Sequence, residues 1–171
     1  MFDTETLSPS AITAPNLFIE TGGRTLAYRR IGTGRPLLLC MRFRGTMDLW
    51  DPAFVDTLAA NGFEVIPFDY TGLGLSTGTP DYNPLEMAKD VRDLIAALDL
   101  KDVVVGAWSL GGLAAQAALA LYPDRISHIV LIGTNPAGTN ILPGEQLFYD
   151  LAGIERYSLE DETGLFFEPA S

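Results

Sequence analysis

The sequence predicts an α/β protein: a mainly parallel sheet with helices on both faces, opened by a β-hairpin. Three observations predict it. Short apolar runs alternate with stretches of helical periodicity between residues 36 and 132. The central run, residues 36–41, lacks the period-two alternation of a sheet with one wet face, as a strand covered on both sides does. The connections are only a few residues long, as in βα and αβ turns.

Residues 1–15 carry Ser, Thr, Pro and Asp without periodicity and read as a loose arm. Residues 16–20 and 24–31 are β-prone runs around Thr21-Gly22-Gly23, a hairpin signal because both glycines reach positive φ without strain. Residues 36–41 then read as a central strand. Asp51 can cap the next helix, Pro52 suits its first position, and Phe54, Val55, Leu58 and Ala59 form its apolar stripe. A strand is expected over residues 63–68, followed by a glycine-rich loop over 69–81. Asn83 as cap, Pro84 at the first position and Glu86 three residues after the cap resemble a capping box. Leu85, Ala88, Val91, Leu94, Ile95 and Leu98 carry that helix to about Leu100. A strand over 103–108, a helix over 110–121 and a strand over 126–132 complete the alternation. Beyond Gly133 it stops, and a helix over 142–154 lies outside the pattern.

Composition narrows the function classes. With 47% hydrophobic residues the chain has apolar surface enough to offset its ordering entropy. Eleven basic against 22 acidic residues give a net charge of −11, which repels nucleic acid and anionic membranes, so a small-molecule partner is expected. No apolar run approaches the roughly 20 residues needed to cross a bilayer, and no signal peptide is visible. The single Cys40, set among leucines, reads as a buried thiol of a cytoplasmic protein. No His, Cys and carboxylate cluster has metal-ligand spacing, and no cofactor is implied.

The chemistry concentrates in Ala107-Trp108-Ser109-Leu110-Gly111. An apolar strand that turns directly into an Ala-rich helix holds the central serine exposed at the carboxyl edge of the sheet, provided that its neighbours are small. Ser109 is then the candidate nucleophile. The Leu110 N–H points at the carbonyl oxygen under attack.

At this point the chain resembles the α/β-hydrolase superfamily, from about Asn16 to Gly138. Asp69-Tyr70-Thr71-Gly72-Leu73-Gly74-Leu75-Ser76 is similar to the family's D-x-x-G-x-G-x-S loop, and Trp50-Asp51-Pro52 to the aromatic start of its first core helix. Tyr122-Pro123-Asp124-Arg125-Ile126 and Leu131-Ile132-Gly133-Thr134 resemble the segment around strand six. The resemblance implies a capped serine hydrolase acting on an ester or related bond. By position it also implies that the second oxyanion donor is the Phe43 N–H. Two departures stand out: Ala107 where Gly is usual at the elbow, and Met41-Arg42 where many members have His-Gly. Asp69 is read as the organiser of its loop rather than as a catalytic acid.

A nucleophilic serine needs a base and an orienting acid, which in this fold follow it along the chain. The one histidine, His128, is expected to be a structural residue buried near the start of a strand, away from Ser109. About six of the family's usual eight strands are present. Residues 16–135 read as the amino-terminal part of the core and 136–171 as the beginning of a cap, so the chain is expected to be truncated, without its catalytic base and acid. Other readings of the scaffold stay open. One is a non-catalytic interaction protein that pairs with a second copy through the open sheet edge. Another is non-haem haloperoxidase-like chemistry.

Overall fold

The computed structural model describes residues 10–138, 146–154 and 158–166. The chain forms two compact units, residues 1–137 and 138–171. In the first unit, β1 (Leu17–Thr21) and β2 (Arg24–Tyr28) form the hairpin. Its turn has φ of +56° at Gly22 and +78° at Gly23, the double left-handed geometry that two-residue hairpins favour. Then follow β3 (Arg35–Cys40), α1 (Pro52–Ala60), β4 (Phe63–Pro67), α2 (Pro84–Ala97), β5 (Val103–Trp108), α3 (Leu110–Leu121) and β6 (Ile126–Ile132).

The last four strands make one parallel sheet in the order β4-β3-β5-β6, with Leu38 level with Ile66 on one side and Val105 on the other. Residues 37–40 of β3 are buried, as their unbroken apolar run predicts. The chain leaving the hairpin is tied antiparallel to β4: the Ile31 amide donates to the Val65 carbonyl at 3.0 Å, and the Ile31 carbonyl accepts the Val65 amide at 2.8 Å. Helices cover both faces. On one, α2 and α3 bury Met87, Val91, Leu94, Ala114 and Ala118 with Leu38, Ile66 and Val105. On the other, Val55 of α1 packs with Trp50, Leu37, Leu39 and Val65.

Several local expectations are corrected. Residues 10–14 are not loose: the Ala11 amide donates to Asp56 at 2.7 Å and Ala14 is buried, while residues 1–9 lie outside the described residues. Phe54 and Leu85 are exposed rather than part of the core stripes, because each lies in the first turn of its helix, off the face turned to the sheet. Asn83 does cap α2 through the Leu85 amide, but Glu86 turns outward to Lys89, so the capping box is half built. The largest correction concerns β6. It is the last strand of the sheet among the described residues, and Val130, Leu131 and Ile132 are 51%, 40% and 37% exposed. His128 is therefore exposed, not buried as expected.

The second unit contains α4 (Gln146–Ala152), inside the helix expected over 142–154, and α5 (Leu159–Phe166), which no periodicity announced. Residues 142–145 lie outside the described residues.

Candidate active site

The turn from β5 into α3 is built by three close approaches. Ala107, which stands where glycine is usual, is fully buried in the core cluster that includes Ala114 and Ala118 of α3. Ser109 has φ +54° and ψ −121°, a region that residues with a Cβ rarely occupy. Its amide donates to the Ile132 carbonyl at 2.9 Å, and its own carbonyl accepts the Gly112 amide at 2.8 Å, so both neighbours hold it in that conformation. A Cβ at Gly111 would lie 2.5 Å from the Cys40 carbonyl oxygen and 2.6 Å from that of Met41. Here glycine is required by space. The chain leaving β3 consequently passes against the first turn of α3, two residues ahead of Phe43.

That chain makes a tight turn in which the Gly45 amide donates to the Arg42 carbonyl at 3.0 Å and Arg44 takes φ +54°. Among the described residues neither the Phe43 nor the Leu110 amide donates a hydrogen bond inside the protein. The Ser109 hydroxyl makes no capping bond to α3. Aromatic rings surround this corner. Phe43 lies 4.4 Å from Tyr82, and Trp108 lies 6.2 Å from Trp50. The Arg42 guanidinium sits 5.8 Å from the centre of the Trp108 ring and that of Arg44 5.2 Å from the centre of the Phe43 ring. Sequence reasoning passed over Arg42, Arg44, Tyr82 and Trp108 as site residues. The one available signal was the pair of arginines on either side of Phe43.

Asp69 is buried, and its two oxygens are taken up by the loops around it: Oδ1 accepts the Met47 amide at 2.7 Å and Oδ2 the Leu75 amide at 2.9 Å. Burial pushes its carboxyl above the usual range, and the two amides pull the other way. Ser76 completes the knot, donating to the Asp69 carbonyl at 2.7 Å and accepting the Ala27 amide at 2.9 Å. Cys40, level with Ala107, is fully buried, and desolvation raises its thiol to about 12, so it is a packing group.

His128 stands opposite Val104, whereas Ile132, at the carboxyl end of β6, stands opposite Trp108. Four residues of strand, about 13 Å, separate the imidazole from the edge that carries Ser109. There its Nδ1 lies 3.1 Å from Arg35 Nη2, a group that also reaches Ser127 and Asp102. Among the described residues no three His, Cys, Asp or Glu side chains form a metal-binding group, and no helix is long and apolar enough to cross a membrane.

A parallel sheet in which β5 turns through a positive-φ serine directly into a helix is the strand-to-helix elbow arrangement of the α/β-hydrolase class. The chain belongs to the α/β-hydrolase fold family, whose model matches residues 35–166. It is 33% identical over 124 residues to a zearalenone hydrolase of Bionectria ochroleuca, covering 70% of this chain and 44% of the relative. It is 31% identical over 122 residues to a serine hydrolase of Mus musculus, covering 68% of this chain and 42% of that protein. An α/β hydrolase fold protein from Chitinophaga pinensis superposes with a TM-score of 0.79 at 32% identity, covering 94% of this chain and 58% of the other. The chain thus spans less than half the length of the two hydrolases it matches.

Proposed function

We propose that this chain carries the nucleophile and oxyanion hole of a serine hydrolase acting on an ester or related bond of a small molecule. The observation that carries the reading is the Ser109 conformation, a strained backbone held by hydrogen bonds on both sides at the carboxyl edge of the sheet. In the reaction the Ser109 Oγ bonds to the carbonyl carbon, and the developing oxyanion accepts from the Leu110 and Phe43 amides. The carbon–oxygen bond to the leaving group then breaks, and the alcohol departs with the proton that the serine gave up. Water cleaves the acyl-serine in the second half. The proton carrier in both halves is not His128, which lies at the wrong end of β6. We assign the base and its orienting acid to polypeptide outside residues 1–171, and residues 136–171 to the beginning of the cap region.

An activated ester tests this. With p-nitrophenyl acetate, residues 1–171 should accumulate an acetyl group on the Ser109 peptide slowly, since an oxyanion hole without its base retains only residual catalysis. Added imidazole should accelerate the Ser109-dependent part, measured against Ser109→Ala as background, and His128→Gln should behave as the parent. Acetylation that persists in Ser109→Ala, or that disappears in His128→Gln, would overturn the reading.

A further inference from the structure

We infer that Gln116 is a positioning residue for the reaction at Ser109: its side-chain amide pins the chain that leaves β6 to α3 and thereby fixes the Ser109 backbone. The inference rests on the nucleophilic role proposed for Ser109. Its basis is the use made of one side chain. Gln116 lies half-buried in the second turn of α3, and both hydrogens of its amide are taken: Nε2 donates to the Gly112 carbonyl and to the Asn135 carbonyl, each at 3.0 Å. Its Oε1 accepts the Ala137 amide at 2.7 Å. Donating to one carbonyl and accepting from the amide two residues further on is how a peptide unit of a neighbouring strand pairs with a chain. Gln116 takes the place of such a strand for residues 135–137.

The segment so held follows directly on an acceptor that the candidate nucleophile depends on. The Ser109 amide donates to the Ile132 carbonyl at 2.9 Å, and Ile132 is the last residue of β6, which has no neighbour on its outer side among the described residues. Gly133, the next residue, takes φ +51° and ends the strand. An exposed strand end frays unless the chain beyond it is tied down. Two contacts tie it here, at successive points along α3. Thr134 is seated on Gly112, where a Cβ would lie 2.4 Å from its Cγ2, and Gln116 takes hold of residues 135 and 137. Apart from the Thr134 hydroxyl, 3.5 Å from the Asn135 carbonyl, no other hydrogen bond reaches residues 133–137 among the described residues. A backbone held at φ +54° relaxes when its partners do, so the aim of the Ser109 hydroxyl and of the Leu110 amide depends on this hold.

The test combines amide hydrogen exchange, followed by NMR, with acetylation of Ser109 by p-nitrophenyl acetate, followed by mass spectrometry. Gln116→Ala removes the side chain without weakening α3, since alanine is the best helix former. Gln116→Met keeps the length of the side chain but none of the three hydrogen bonds. In both variants the Ser109 amide should exchange about tenfold faster, while the Val105 amide in the middle of β5 keeps its protection. The limiting rate of acetylation should fall about tenfold with the half-saturating ester concentration unchanged, because the reacting atoms are misplaced rather than the ester bound less well. Exchange at Ser109 that is unchanged in Gln116→Ala, or faster without slower acetylation, would overturn the inference. So would a loss of protection at Ser109 matched by an equal loss at Val105, which is global destabilisation, or parent-like behaviour of Gln116→Met, which would make bulk the only role of the side chain. If the parent is not acetylated at Ser109, the proposed function fails, and the exchange rates then decide by themselves whether Gln116 holds the Ser109 backbone.

Discussion

The backbone at Ser109 should be a measurable liability, and replacing this serine with glycine should stabilise the protein. At φ +54° and ψ −121° the Cβ of Ser109 crowds its own backbone, and residues held in such regions cost on the order of 1–3 kcal/mol. Glycine removes that cost. It also adds freedom to the unfolded chain, worth about 0.4–1 kcal/mol in the opposite direction. The side chain makes no capping bond to α3, so little else is lost. The net expectation for Ser109→Gly is a gain of about 0.5–2 kcal/mol, a rise in urea midpoint of roughly 0.3–1 M for a protein of this size. Ser109→Ala keeps the Cβ and the strain, so it should stay within about 0.5 kcal/mol of the parent. Equilibrium urea unfolding, followed by near-UV and far-UV circular dichroism, measures all three. If Ser109→Gly is no more stable than Ser109→Ala, the backbone is not strained and the argument from conformation to function loses its footing. Both variants should lose acylation, which would make the site a place where stability is given up for chemistry.

Three further outcomes follow from the structure. Gly111→Ala places a methyl carbon 2.5 Å from the Cys40 oxygen. An ordinary carbon–oxygen contact is about 3.3 Å, so α3 must retreat by close to 1 Å. The variant should lose about 1–3 kcal/mol in urea unfolding and roughly 100-fold in ester acylation. Asp69→Asn leaves one of the Met47 and Leu75 amides facing a donor and should cost about 1.5–3 kcal/mol at pH 7. Because burial raises the folded-state value of Asp69, its contribution favours the fold at low pH and is lost as pH rises from about 3.9 through that raised value. Urea midpoints measured across that window should show a downward component with rising pH in the parent that is missing in Asp69→Asn. Finally, buried Asp90 accepts from Arg24, from the Thr71 amide at 2.7 Å and from the Thr71 hydroxyl at 2.7 Å, which ties the hairpin and the glycine-rich loop to α2. Asp90→Leu should cost about 3 kcal/mol. In a double-mutant cycle with Arg24→Met the double variant should be less damaged than the sum, by about 0.5–3 kcal/mol.

Between residues 16 and 132 the sequence by itself determined the strands and α-helices, whereas α5 in the second unit carried no signal. Residues 36–41 have no polar position to turn outward, Gly22-Gly23 admits a left-handed turn, and Asp51-Pro52 and Asn83-Pro84 start helices. All of these are local matters of sterics and solvation, and the structure repeats them nearly residue by residue. The serine turn was legible for the same reason, since small residues on both sides of Ser109 can be read off the chain. Only the tertiary structure decided what those elements face. That Val130, Ile132 and His128 are exposed depends on β6 having no neighbour beyond it among the described residues, a matter of which strands assemble rather than of periodicity. The need for glycine at 111 comes from the carbonyls of Cys40 and Met41, which are far from it in the chain. The placing of Arg42 has a like reason: only the folded chain lays the loop after β3 against the turn after β5, and so puts the Arg42 guanidinium over the ring of Trp108.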